Sequence, residues 1–335
     1  MMIDTVKENG LVNWVVQNGG SIHPLYVPFE LSNGTGLSNP SILIDGNKIL
    51  VNLRHLNYTL HHSEQNRFDH YWGPLQYLHP EDDITLTTYN ILLTLDKDYN
   101  VVDYKKVNTD KLDVKPLWTF IGLEDARLIK WNNKIYLCGV RRDTTTTGEG
   151  RMELSELKIT KKSVKEISRF RIPTPINPKS YCEKNWMPIL DMPYHFVKWC
   201  NPTEIVKVDV EKQKSETIVL EEASYKEQKK AFRGGSQVLP YEGGYVALTH
   251  EVDLYNNYLG KKNGEYLHRF IYWDKDWNIK KVSEDFSFLK ARVEFAVGMA
   301  YHKENILITF GFQDNSAYLI RMPINLLDEL LTIVW

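Results

Sequence analysis

Apolar and polar residues alternate along this chain in short runs, with Gly, Asn and Asp between them. Period-two alternation bounded by turn residues marks strands that bury one face, and long stretches with helical periodicity are scarce. One segment recurs five times: a turn holding Asn, Asp or Gly, then an apolar alternating strand. The copies are Asp45-Gly-Asn-Lys-Ile-Leu-Val, Asn132-Asn-Lys-Ile-Tyr-Leu, Met192-Pro-Tyr-His-Phe-Val, Glu242-Gly-Gly-Tyr-Val-Ala and Lys303-Glu-Asn-Ile-Leu-Ile. A short strand with a polar start precedes each one: Asn39-Pro-Ser, Glu124-Asp-Ala-Arg, Glu183-Lys-Asn-Trp, Arg233-Gly-Gly-Ser-Gln and Glu294-Phe-Ala-Val. A second, more polar hairpin follows. Its clearest copies are Leu95-Asp-Lys-Asp-Tyr-Asn-Val-Val and Trp273-Asp-Lys-Asp-Trp-Asn-Ile-Lys, with counterparts expected near 157–167, 206–218 and 319–326.

Five units of two hairpins, starting near residues 39, 124, 183, 233 and 294, predict an all-β, five-bladed β-propeller spanning 1–335 as a single domain. The first spacing is the longest. It holds an insertion at about 55–90, rich in His, Tyr and Trp and including Tyr71 and Trp72, which would overhang one face as a lid or a subunit contact. The segment 324–335 reads as a short helix or a closing strand, and the pattern leaves open whether the first 38 residues complete the last blade. In a propeller the first strand of each blade lines the central channel. That placement explains why strands otherwise built for burial begin with charged residues.

Composition narrows the function classes. Among 335 residues, 41 are basic and 43 acidic, for a net charge of −2. This balance, with no basic block, argues against nucleic acid or an anionic membrane as the main partner. Hydrophobic content of 42% and charged content of 25% are those of a globular protein. Aromatic content is high at 12%, and aromatic rings serve both strand packing and sugar stacking. Cys138, Cys182 and Cys200 form no disulfide framework, which fits reduced thiols and a cytoplasmic location. No apolar run is long enough to span a membrane, and residues 1–13 lack the pattern of a signal peptide.

Charged residues at the strand starts carry the candidate chemistry. In Glu124-Asp125-Ala126-Arg127, strand alternation turns Asp125 away from Glu124. One carboxylate would then enter the tunnel while the other ties blades together. Two readings stand: a general acid beside an anion or sugar site, or an inter-blade ion pair. Glu183-Lys184 repeats the arrangement in the third unit, where Lys184 offers a point charge to phosphate or sugar oxygens. Arg233 precedes glycines that permit close backbone approach. His250 and Glu251 end the strand of the fourth unit, and Asp314 lies in the last Gly311-Phe-Gln-Asp turn. Arg142 and Arg151 can complete an anion site. His61, His62 and His70 have no companion ligands at zinc spacing, so neither a metal nor a cofactor is expected. A P-loop and a Gly-x-Ser-x-Gly elbow are absent from the sequence.

Taken in order, Asn39-Pro-Ser, Asp45-Gly-Asn, Leu53-Arg54, Gly122-Leu-Glu-Asp-Ala-Arg127, Glu183-Lys184, Gly234-Gly-Ser with His250, Phe295-Ala-Val-Gly298 and Gly311-Phe-Gln-Asp314 resemble glycoside hydrolase family 130. Members of that family are five-bladed propellers that phosphorolyse β-mannosides. The chain is also similar to the related β-1,2-mannosyltransferase and phosphorylase family of protozoan parasites. The resemblance covers about residues 36–322 and implies that Asp125 is the proton donor, acting through a sugar hydroxyl with inversion at the anomeric carbon. It further implies phosphate-binding roles for Lys184 and for Arg142 or Arg151, and a glycone-holding role for Asp314; His250 matches a family histidine. Asn39, Arg54, Glu124, Arg127, Glu183 and His250 join the expected sugar site, and Arg233 the anion cluster. Two departures stand out: Ala126 replaces the motif's proline, and Trp199-Cys200-Asn201-Pro202 replaces a phosphate-binding His-Arg-Pro element.

The expected function is that of an inverting glycosyltransferase or glycoside phosphorylase. It would move a mannosyl-like unit between a sugar acceptor and phosphate or a phosphorylated donor. Two alternatives remain: a β-mannoside hydrolase in which Glu183, Glu251 or Glu294 activates water, and a glycan-binding propeller without catalysis. Expected partners are a carbohydrate and phosphate or a sugar phosphate. Self-association into a homo-oligomer is left open.

Overall fold

A computed structural model describes residues 2–62, 75–79, 83–175, 180–222, 231–256 and 262–333. The chain is all-β, as the alternation predicts. Its strands fall, in chain order, into antiparallel groups. The first holds Leu37–Asp45, Lys48–Leu56, Leu86–Leu95 and Val101–Asn108; the second holds Glu124–Trp131, Lys134–Arg141, Arg151–Ile159 and Val164–Arg171. Their outer edges touch through a short parallel pairing, Val164 with Val107 and Lys165 with Asn108. The third runs Met187–Pro188, His195–Cys200, Thr203–Asp209 and Lys214–Leu220. In the fourth, Arg233–Gly234 and Leu239–Tyr241 both pair with Gly244–Asn256, followed by Lys262–Trp273 and Ile279–Val282. The fifth has Glu294–His302, Asn305–Phe312 and Ser316–Pro323.

The outer strand of the fifth group comes from the other end of the chain. Ser21–Leu25 pairs with Ser316–Pro323, in register from Ser21–Arg321 to Leu25–Ala317. The hairpin expected at 319–326 therefore does not form. The backbone leaves the sheet at Pro323 and enters the helix Asn325–Leu330, which buries Leu326, Leu327 and Leu330. After it, Thr332–Ile333 pairs with Ile279–Val282 of the fourth group. The question left open by the first 38 residues is thus answered by an N-terminal closing strand.

Among the described residues, apolar side chains on both faces of the sheets make five cores, and each core joins neighbouring groups. Leu43 and Leu92 meet Leu128 and Leu137 between the first and second. Ile129 and Trp131 meet Phe196 and Val206 between the second and third. Ile189 and Val197 meet Ala247 and Ile271 between the third and fourth. Leu248 and Phe270 meet Ile308 and Phe310 between the fourth and fifth, and Leu307 and Leu319 meet Ile42 and Leu93 between the fifth and first. The packing runs round in a ring. At its centre the buried Gln237 donates through Nε2 to the carbonyls of Ile42 (2.9 Å) and Leu128 (2.9 Å), and its Oε1 accepts from the Met299 amide (2.9 Å). One side chain from the fourth group so satisfies three strand backbones that ladder pairing leaves open, as a buried interior demands.

The insertion is shorter at both ends than the sequence suggests, because His55 and Asn90 lie within strands. Thr59–His62 pairs with Leu75–Leu78 in its stem; Tyr71, Trp72 and His70 lie outside the described residues. Among the described residues, no helix is long and apolar enough to cross a membrane.

Candidate functional site

The first strands of the groups open onto a cavity of about 230 Å³. Asn39, Arg54, Glu124, Asp125, Lys184, Arg233, His250 and Asp314 all line it, although they come from five different parts of the chain. The sequence names all eight. It gives no site role to Tyr58, Leu86, Phe120, Asn185, Tyr266, Val293 or Phe295, which complete the wall. Aromatic residues are common in strands throughout the chain, so local pattern cannot single these out.

Local backbone geometry turns the carboxylates inward. Asn39, Asp125, Asn185 and Asp314 have φ of 42°, 50°, 62° and 52°, in the left-handed region that Asn and Asp tolerate best among residues with a Cβ. Register shifts accompany two of them, between Ser38 and Ser41 and between Cys138 and Val140. A bulge breaks the two-residue alternation. Glu124 and Asp125 therefore line the same cavity, which corrects the expectation that they face opposite ways. Close approach is required as well: a Cβ on Gly311 would stand 2.4 Å from Asn39 Oδ1, so only glycine admits that amide.

Asp125 is the hub of the hydrogen bonds. Arg54 Nη1 donates to its Oδ1 at 2.8 Å, and Asn39 Nδ2 donates to the same oxygen at 2.7 Å. Among the described residues, no hydrogen bond reaches Oδ2. Arg54 is itself held by Thr88 Oγ1 (3.1 Å) and stands 3.9 Å from Glu124 Oε2. Ser38 Oγ donates to Asp314 Oδ1 at 2.9 Å.

The three carboxylates part company electrostatically. Burial works to raise Asp125, but Arg54, Lys184 and the Asn39 bond outweigh it and hold the carboxyl below its ordinary range. Burial raises Glu124 despite Arg54, with the charge of Asp125 adding to the rise. Burial also raises Asp314, against Arg54 and with Asp125. Burial holds the His250 imidazole well below its usual range, and the neighbouring His268 and the charges of Arg233, Arg127 and Lys184 press the same way. His250 is therefore neutral, with Nδ1 unpartnered among the described residues, its ring against Tyr266 (5.9 Å) and Phe295 (4.6 Å).

Four expected site residues lie elsewhere. Arg127 is buried behind the cavity wall. Its guanidinium donates to the backbone carbonyls of Gly235 (2.9 Å) and Asp125 (2.8 Å), so it ties the second group to the fourth and offers nothing to a sugar. Arg151 is spent on the Gly150 carbonyl (2.8 Å) and on Glu149 (3.3 Å). Arg142 stacks between Phe120 and Tyr181, at 5.0 and 5.4 Å, and donates to Cys182 Sγ; it lowers Glu124 electrostatically without lining the cavity. Glu183 accepts from Trp186 Nε1 (3.2 Å) and faces a second, adjoining cavity. Two candidate water-activating bases are also occupied. Glu251 is paired with Arg269, and Glu294 accepts the amides of Phe288 (2.5 Å), Leu289 (2.7 Å) and Ala291 (3.0 Å).

Together these features define an all-β ring with an acidic and cationic cavity at its axis. No family model and no curated protein matches the sequence. Solved structures do match. A β-1,2-mannobiose phosphorylase from Listeria innocua superposes with a TM-score of 0.54 at 12% identity, over 88% of this chain and 92% of that one. A mannose phosphorylase from Leishmania mexicana gives 0.51 at 12% identity, over 97% and 95%. A glycosyl hydrolase from Bacteroides ovatus gives 0.52 at 10% identity, over 86% and 84%. The chain has the β-propeller fold of these proteins.

Proposed function

We propose that this protein is a carbohydrate-active enzyme that transfers a mannosyl-like unit between a sugar hydroxyl and phosphate, with inversion. The five strand groups are read as the five blades of one propeller domain. The observation that carries the reading is the convergence of Asp125, Lys184, Arg233 and Asp314 on one cavity. That set combines a proton-exchanging carboxylate, cations for a phosphate and a second carboxylate for sugar hydroxyls. The fold it shares with mannoside phosphorylases supports the same reading.

The chemistry follows from the charges. In phosphorolysis a phosphate oxygen attacks the anomeric carbon of a β-mannoside, the glycosidic C–O bond breaks, and the leaving oxygen takes a proton. The products are α-mannose 1-phosphate and the freed sugar. Asp125, through the Oδ2 that Arg54 and Asn39 leave open, is the proton donor in this direction and the acceptor in synthesis. Arg54, Lys184 and the Asn39 bond favour its ionised form, the one that accepts a proton in synthesis. A phosphate dianion beside Lys184 offsets that cation and raises Asp125 towards its acid form. Proton donation is thereby tied to phosphate binding. The neutral His250 and Asp314 suit sugar hydroxyls.

Hydrolysis needs a second carboxylate to activate water. Glu251 is paired with Arg269, Glu294 accepts three backbone amides, and Glu183 accepts from Trp186 Nε1 and faces the adjoining cavity. Phosphate-dependent transfer is therefore preferred to hydrolysis. The test is Asp125→Asn, assayed for phosphate release from α-mannose 1-phosphate with mannose-type acceptors. Loss of turnover by roughly 10²–10⁴-fold, in a variant that still folds but melts lower because Arg54 loses its partner, is expected. Full activity in the variant, or sugar release from β-mannosides at a rate independent of phosphate, refutes the mechanism.

A further inference from the structure

His55 follows Arg54 on the strand Lys48–Leu56, and alternation turns it to the opposite face. Arg54 lines the first cavity, whereas His55 lines a separate one of about 180 Å³ that shares no residue with it. His55 is only 6% exposed. Its Nε2 lies 2.9 Å from the Ser32 carbonyl and 2.8 Å from Thr35 Oγ1. A carbonyl can only accept, so Nε2 carries the ring proton and Nδ1 keeps its lone pair. Nδ1 is buried with no partner among the described residues. A buried acceptor of this kind costs stability until something donates to it. Burial, with the charge of Lys106, outweighs the Ser32 bond and holds the imidazole below its usual range, so the ring is neutral.

The rest of the wall selects the occupant. Tyr89 stacks on the imidazole, with ring centres 5.4 Å apart. Lys106 Nζ stands 3.8 Å from the Tyr89 ring centre and has no ion pair among the described residues. Asp83 is already spent, because its Oδ1 accepts the Thr85 amide (2.9 Å) and its Oδ2 the Asn57 side-chain amide (3.0 Å). A phosphate would set its oxygens against the Nδ1 lone pair and the Asp83 charge, with one cation to hold it. The ammonium of an amino acid would find one open acceptor for three N–H bonds. Hydroxyls can both donate to Nδ1 and accept from Lys106, and the exposed Asn33 amide on the same wall offers them further bonds.

We propose that this cavity is a second carbohydrate site, apart from the transfer site, which holds one neutral sugar ring through hydroxyls that donate to His55 Nδ1 and accept from Lys106 Nζ. It does not depend on the transfer reading. Imidazole nitrogen NMR of the full chain, with nitrogen-labelled histidine, tests it. The His55 signals are identified by contact with the Tyr89 ring protons, and His250 reports on the first cavity. Mannose, glucose, inorganic phosphate and glycine are titrated in turn to about 100 mM, enough to fill a site of millimolar affinity. Mannose or glucose should move His55 Nδ1 upfield to saturation, as an imine nitrogen moves on accepting a hydrogen bond. Lys106→Gln, a change at an exposed position, should weaken that response about tenfold, the worth of one hydrogen bond to a charged group. Its melting temperature and its His250 titration should not change. A His55 signal unmoved by either sugar overturns the site, as does a larger response to phosphate or glycine. A His55 response that tracks His250 and ignores Lys106→Gln is relayed from the first cavity and overturns it too. A response at His55 with none at His250 supports the second site and counts against sugar binding at the first.

Discussion

Replacing Arg54 by Met tests the electrostatics of the site directly. Arg54 is one cation facing three carboxylates: Asp125 at 2.8 Å, Glu124 at 3.9 Å, and Asp314 through the field they share. The side chains of Arg54 and Asp125 are only 10% and 11% exposed, so solvent screens their attraction little. Removing one partner of such a buried pair costs about 3–5 kcal/mol. For a chain of this length that is a fall in Tm of roughly 4–7 °C at pH 7. Met keeps most of the volume, so the loss reports charge more than cavity formation. The pH dependence fixes the sign. Asp125 is held below its ordinary range in the native protein, so its stabilising contribution is present at neutral pH and lost as pH falls through its folded pKa. Glu124 and Asp314 are raised, so each favours the folded state less as pH rises through its folded pKa. Without Arg54 all three lose their countercharge and bind protons more readily. The deficit of Arg54→Met should therefore shrink as pH falls from 8 to 5. Melting curves of both proteins at pH 8, 6.5 and 5 in low salt measure it. A deficit below about 2 °C at pH 7, or one that grows on acidification, refutes the arrangement described.

Other outcomes follow from the same geometry. Arg127→Met should lower stability by about 3–5 kcal/mol in urea unfolding, because it strands buried carbonyls of Gly235 and Asp125, while the folded fraction keeps its sugar affinity. A variant of native stability with lost sugar binding contradicts that role. Gly139→Ala places a Cβ 2.3 Å from the Glu124 carbonyl, so it should displace the bulge that carries Glu124 and Asp125. Turnover should fall at least tenfold, about 1.4 kcal/mol of barrier, more than Tm suggests, and steady-state kinetics beside a melt separates the two effects.

How far the sequence can be read depends on the range of the forces involved. Each repeat carries its own turn chemistry, and the structure places Asn132 and Asn133 at φ of 49° and 63°, with Glu242 and Lys303 likewise left-handed. Turn residues and alternation act over a few positions, so they were legible one hairpin at a time. The closing strand was not. Ser21-Ile-His-Pro-Leu25 is unremarkable alone and becomes the last edge only because Asn305–Phe312 covers just one edge of Ser316–Pro323. Arg127 misled for a related reason: a charged residue at an inner-strand start looks the same whether it faces sugar or a backbone carbonyl.

By itself the sequence determined the all-β character, most of the hairpins and the kinds of charged residue at their starts, because propensity and periodicity are local. Tertiary structure alone decided which of those charges meet. Asn39, Asp125, Lys184, His250 and Asp314 are strangers along the chain, and only ring closure brings them to one cavity. Whether Asp125 joins Glu124 there depends on a left-handed φ of 50° that alternation forbids and the packed bulge enforces. Its ionisation is likewise a property of the assembled field, since the Arg54 and Lys184 that hold it low arrive from other sheets.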